Sequence, residues 1–182
     1  MKLFKLLLAA AGATVLLGTL VSTASAGRLS ISNQSIGATW STVTFSGGFG
    51  ETRCHVTLEG SFHSRTMIKE LGSLMGYVTS AIISACETGS ATILRETLPW
   101  HVRYSGFALT LPNFESLIVH IIGSSWRTRE SFGITCLART TAAQPTSEIF
   151  HRNPTTGVLT EAGLEGRIRV GAECFGVEGT LE

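Results

Sequence analysis

The sequence predicts an all-β protein, an antiparallel sandwich or barrel of roughly nine or ten strands. Three observations carry this expectation. Short apolar and β-branched runs alternate with Gly, Ser, Pro and Asn after Gly27. Several of these runs alternate in polarity at every second residue, and only one stretch, 66–84, offers a helical stripe.

The first run is 39–45, with Thr39, Val43 and Phe45 on one parity, followed by a turn at Ser46-Gly47-Gly48. Trp40 falls on the opposite parity and is a candidate exposed aromatic platform for sugar rings, as is Trp126 beside Arg127 and Arg129. The next run is the clearest in the chain: Cys54, Val56, Leu58, Gly60 and Phe62 share one face, with His55, Thr57, Glu59, Ser61 and His63 on the other.

Residues 66–84 are read both ways. Met67, Leu71, Leu74, Val78 and Ile82 fall at helical spacing, whereas Gly72, Gly76 and the β-branched content of 76–83 favour a strand over 74–84. One short helix within 66–84 stays open. Farther on, Trp100, Val102 and Tyr104 alternate with His101 and Arg103, and Phe107, Leu109 and Leu111 repeat the pattern, which predicts two strands joined at Ser105-Gly106. Residues 117–122 are apolar on both parities, as in a central strand covered on both faces, with His120 a hydrogen-bonded core histidine. Residues 132–140 and 164–182 supply further strands, the latter split near Gly171.

The segments Leu98-Pro99-Trp100-His101-Val102-Arg103-Tyr104 and Phe132-Gly133-Ile134-Thr135-Cys136-Leu137-Ala138-Arg139 give residues 28–180 the look of small secreted bacterial proteins. The chain resembles the actinobacterial type of these β-rich proteins, a group without an assigned function. The resemblance implies a bacterial secreted protein and assigns neither a catalytic residue nor a ligand.

Lys2 and Lys5, the apolar run Leu6 to Val21 and Ala24-Ser25-Ala26 have the three parts of a cleavable export signal. The domain organisation expected is therefore a signal over 1–26 and one secreted β domain over 27–182. Export also sets the reading of Cys54, Cys86, Cys136 and Cys174, an even number without any C-x-x-C pair, as two disulfides. Cys54–Cys86 with Cys136–Cys174 is the favoured connectivity among the three possible.

The 14 Lys and Arg include the two signal lysines, so the mature chain carries 12 cations against 13 acids, or −1. Its cations are spread from Arg28 to Arg169 along the sequence, so neither nucleic acid nor, after signal cleavage, a membrane is expected as a partner. All 13 acids are glutamates, which excludes aspartate-rich calcium loops and aspartic dyads. His55 and His63 share a strand face but stand about 26 Å apart in extended chain, too far for one ion. Gly47-Gly48-Phe49-Gly50 lacks the Lys-Ser/Thr ending of a phosphate loop and reads as a hairpin turn.

For catalysis, G-x-S-x-G and S-x-x-K are absent, and Glu51 with Glu59 or Glu96 with Glu115 are carboxylate pairs of unfixed separation. No cofactor, metal or catalytic residue is assigned. The expectation is a non-catalytic extracellular module. Two alternatives stand beside it: a barrel holding a small apolar ligand, and a secreted hydrolase whose site the fold assembles from a histidine such as His101 with a serine and a glutamate. Cleavage is expected after Ala26, so N-terminal sequencing of the exported form should begin at Gly27; a start at Met1 contradicts the signal.

Overall fold

The computed structural model describes residues 28–47, 50–108, 115–129, 133–152, 159–170 and 179–181. The expected signal, Cys174 and the split near Gly171 lie outside them. The chain is all-β, and the described residues form thirteen strands: β1 (Arg28–Ser30), β2 (Ser35–Gly47), β3 (Gly50–Phe62), β4 (Thr66–Ile68), β5 (Leu74–Thr88), β6 (Ser90–Ile93), β7 (Trp100–Ala108), β8 (Ser116–Ile122), β9 (Ser125–Arg129), β10 (Thr135–Arg139), β11 (Thr146–Arg152), β12 (Leu159–Val170) and β13 (Gly179–Leu181). β1, β4 and β13 have three residues each, which leaves ten longer strands, 13 − 3. A 3-10 turn, Arg95–Thr97, precedes β7.

The strands pair antiparallel in the order β11-β8-β7-β5-β3-β2-β13-β12, and β12 pairs back onto β11. That last pairing closes a circuit of eight hydrogen-bonded strands. β10, β9 and β6 continue from β12 as a flanking sheet, and β1 with β4 forms a separate two-stranded ribbon. The β2–β3 hairpin is joined where the glycine run lies, with Gly47 opposite Gly50.

The interior of the circuit is largely apolar, as the alternation in β3 requires. Cys54, Val56, Leu58 and Phe62 are buried there with Val43 and Phe45 of β2, Val102 of β7 and Leu117, Val119 and Ile121 of β8. Trp126 of β9 closes over this core. Its ring lies 5.1 Å from Trp100 and 5.4 Å from Phe45, centroid to centroid, in tilted contacts suited to aromatic packing. The two indole N–H groups donate to Thr97 Oγ1 and Ser124 Oγ, so neither tryptophan buries an unmet donor.

Several expectations change. No helix forms in 66–84: β4, a turn and β5 occupy it. Gly76 sits so close to β3 that a Cβ there would lie 2.2 Å from the Ser61 carbonyl oxygen, and Gly60 is equally tight against Tyr77. The helical stripe does not mark a buried face: Met67 and Val78 are buried, whereas Leu71, Leu74 and Ile82 are exposed, and the inward face of β5 is a different set. Against β3, strand β5 carries one extra residue between Val78 and Ser80, between Ile83 and Ala85, and between Cys86 and Thr88. Each bulge shifts the inward face by one residue, so Val78, Ala81, Ile83 and Cys86 meet Gly60, Leu58, Val56 and Cys54 at steps of three, two and three.

Ser105-Gly106 is likewise a bulge within one continuous strand, with Tyr104 opposite Val119 and Gly106 opposite Ile118, where a turn was expected. Residues 109–114 lie outside the described residues. A bulge between Trp40 and Val43 puts Trp40 on the same face as Val43, half-buried against the core, and Trp126 is 2% exposed. Neither is an exposed sugar platform.

Cys54 and Cys86 lie directly opposite one another and form a disulfide. Cys136 is not free either, and its expected partner, Cys174, lies outside the described residues. Closing a loop with a sequence separation of 32 removes unfolded-state entropy equivalent to roughly 4 kcal/mol. The Cys54→Ala/Cys86→Ala double variant should therefore lose about that much stability in urea denaturation, and an unchanged midpoint would show that the crosslink does not constrain the unfolded chain.

Candidate functional site

Two polar arrangements stand out, one on each face of the wall formed by β7, β8 and β11. The outer one arises at the β7 bulge. Ser105 is the extra residue, and its displacement brings Oγ to 3.0 Å from Nε2 of His120 on β8. Arg103, directly opposite His120, donates from Nη1 to the Gly72 carbonyl at 3.3 Å, while its Nε is buried without a partner. His120 is half-buried on the outer face, which corrects its expected place in the core. Desolvation lowers its pKa, so the ring is neutral at pH 7.

A neutral imidazole on a serine hydroxyl is two-thirds of a nucleophilic triad. The third member is missing: no carboxylate is hydrogen-bonded to His120 among the described residues. On β11 the residue opposite His120 is Ser147. Glu148 is its neighbour in sequence but points to the other side of the sheet. Among the described residues the Ser105–His120 pair thus has no carboxylate to hold the ring in one tautomer.

The inner arrangement is Glu148 itself. On β11, Thr146, Glu148 and Phe150 face inward, and Glu148 is flanked across the sheet by Val119 of β8 and Leu164 of β12, both buried. The residue is 1% exposed, and neither carboxyl oxygen has a hydrogen-bond partner among the described residues. Burial pushes its pKa up to about 8, so the carboxyl is mainly protonated at neutral pH.

The remaining candidates do not converge. Glu51 and Glu59 lie on one strand, about 26 Å apart, and Glu51 is engaged by Arg53 at 2.9 Å. Glu96 and Glu115 are both exposed, at the 3-10 turn and before β8. His55, Glu59 and His63 form no three-residue metal cluster, and none exists among the described residues. His101 is exposed, with its ring 5.5 Å from that of Tyr77. Sequence reasoning missed Glu148 because it missed β11 altogether; the triplet Glu148-Ile149-Phe150 is too short an apolar signal to declare a strand. Family models, curated proteins and solved structures yield no match to the chain.

Glu148 gives the fold a pH dependence with a definite sign. Its folded pKa is raised from 4.5 to about 8, so the folded state holds a proton that the unfolded chain releases. Stability is therefore full below about pH 4.5, falls as pH rises toward 8, and levels off above. Glu148→Met removes this slope and should raise stability at pH 7 by on the order of 3 kcal/mol. Urea midpoints of both proteins across pH 5–8 test this, and parallel curves would show that Glu148 does not carry the dependence.

Proposed function

We propose that the chain is a non-catalytic exported β module, of the small bacterial secreted type it resembles, that acts through its surface. The observation that supports this best is the close burial of the described core side chains. Eight strands make a circuit that side chains alone can fill. Here Trp100, Val43, Val56 and Val119 have no exposed surface at all, and Trp126 packs against Trp100. The disulfide supports an oxidising destination, and no described helix is long and apolar enough to cross a membrane.

A ligand-holding barrel receives less support. Among the described residues the ionisable side chain that faces the interior is Glu148, and it is 1% exposed, flanked by Val119 and Leu164. The hydrolase reading has a specific observation in its favour, the Ser105–His120 contact of 3.0 Å. It lacks the orienting carboxylate that makes such a histidine an effective base.

The test is direct. The exported protein is assayed on generic ester, peptide and glycoside substrates beside its Ser105→Ala and His120→Ala variants. Turnover at the uncatalysed level, or residual turnover equal in all three proteins, is expected. Activity that falls by a hundredfold or more in either variant would make the chain an enzyme and overturn the module.

A further inference from the structure

We infer that the turn after β4 is a docking site for an anionic lipid surface. The inference rests on the surface-acting module proposed above and names its partner.

Among the described residues the exposed large apolar side chains are Ile68, Leu71, Leu74 and Ile82, and the first three surround a single turn. Leu71 is 77% exposed and Ile68 57%. The turn is not a loose loop. Ser73 N–H donates to the Glu70 carbonyl at 2.9 Å, and Gly72 takes φ +78 at the position where a type II turn demands it. Gly72 N–H donates to the Tyr104 carbonyl at 2.8 Å, Tyr104 N–H donates to the Ser73 carbonyl at 2.9 Å, and the Ser73 hydroxyl donates to the Ile68 carbonyl. Leu71 occupies the corner of this braced turn, aimed at solvent. Its exposure is built into the backbone, and a large aliphatic held in water by a rigid support has an unfavourable contact that a partner removes.

Charge identifies the partner. Arg28 of β1 lies directly opposite Ile68 of β4, Arg65 immediately precedes β4, and Lys69 follows it with Nζ 5.1 Å from the centre of the Phe107 ring. Glu70 is the one acid in the turn and its flanking ribbon. Folding thus gathers cations that are 41 positions apart in sequence, 69 − 28, and the proposal departs from the expectation drawn from their linear spacing. A second copy of the chain is a poor occupant, because a two-fold contact would set Arg28, Arg65 and Lys69 against themselves. A soluble polyanion would use the cations but leave Leu71 and Ile68 in water. A bilayer with anionic headgroups satisfies both: aliphatics enter the headgroup–acyl boundary while the cations stay at phosphate level.

The test is co-sedimentation of the exported protein with phosphatidylcholine vesicles, with and without phosphatidylglycerol, at low and high salt. Binding is expected only with phosphatidylglycerol and should weaken as salt rises. Leu71→Ser, at an exposed site that leaves the fold intact by circular dichroism, should lower partitioning roughly tenfold. Arg65→Glu should lower it by a similar factor or more. Ile82→Ser, about 26 Å along β5 from Leu74, is the control and should leave it unchanged.

Absence of vesicle binding at low salt overturns the lipid site. So does equal loss in Ile82→Ser, or binding that Leu71→Ser leaves intact while a soluble polyanion displaces the vesicles, which is the signature of a polyanion site. Because these readouts are independent of turnover, failure here leaves the module standing, and substrate hydrolysis by Ser105 would remove the module whatever the vesicles show.

Discussion

The register of β3 against β5 is the constraint from which the remaining architecture follows. These strands, of 13 and 15 residues, are central to the curled sheet, and their pairing is interrupted by three bulges. A bulged ladder leaves residues unpaired and gives slippage more alternatives than a regular one. Two devices hold it. Gly60 and Gly76 allow the backbones an approach that any other residue would block, and the Cys54–Cys86 bond locks the far end of the pairing. With both ends fixed, the intervening bulges are confined to Thr79 and Ser84, and Leu58 and Val56 are held facing the core.

The other bulges repeat the same principle with different effects. Between Trp40 and Val43 the extra residue keeps both sides of the break facing inward, so a long strand supplies apolar side chains to the core at each end. At Ser105 the extra residue pushes a hydroxyl outward to His120 while Tyr104 remains buried beside it. An added residue at such a position changes which face a side chain occupies without changing the pairing partners beyond it. The sheet can therefore curl until β11 meets β12, because bulges raise local twist where a regular ladder would stay flatter.

This explains which parts of the sequence were legible. β3 was read correctly because it is regular on its own side: every bulge in its pairing with β5 inserts the residue into β5. The helical stripe of 66–84 joined residues of different fates, since Met67 and Val78 are buried and Leu71, Leu74 and Ile82 are exposed, while the true inward face of β5 was hidden because its bulges break the period of two. The disulfide was legible in part because Cys54 fell on the apolar parity. Trp40 and His120 were misplaced by assuming an unbroken alternation in one case and a doubly covered strand in the other; Ile118, His120 and Ile122 are in fact half-exposed. Trp126 was read from its flanking arginines, although they merely occupy the outward positions of β9. Arg65 and Lys69 flank β4 and are close in sequence, but the addition of Arg28 to them has no local signature, since it is produced by the pairing of β1 with β4.

Glu148 and Leu71 break the rule of burial in opposite directions, and the comparison bears on where the protein acts. A protonated carboxyl packed between Val119 and Leu164, with no hydrogen-bond partner among the described residues, costs stability of the same order as a disulfide contributes. The crosslinked frame offsets a defect that an uncrosslinked domain of this size, with a net stability of only about 5–15 kcal/mol, would carry at greater risk. A buried defect of this kind has no route to an external partner while the wall around it stays paired. Leu71 differs because its unfavourable contact is with solvent, at a corner that the backbone of β7 braces on both sides through Tyr104. Contact with a surface can relieve it without moving the fold, which is why the surface, and not the interior, is the place where this architecture is ready to bind.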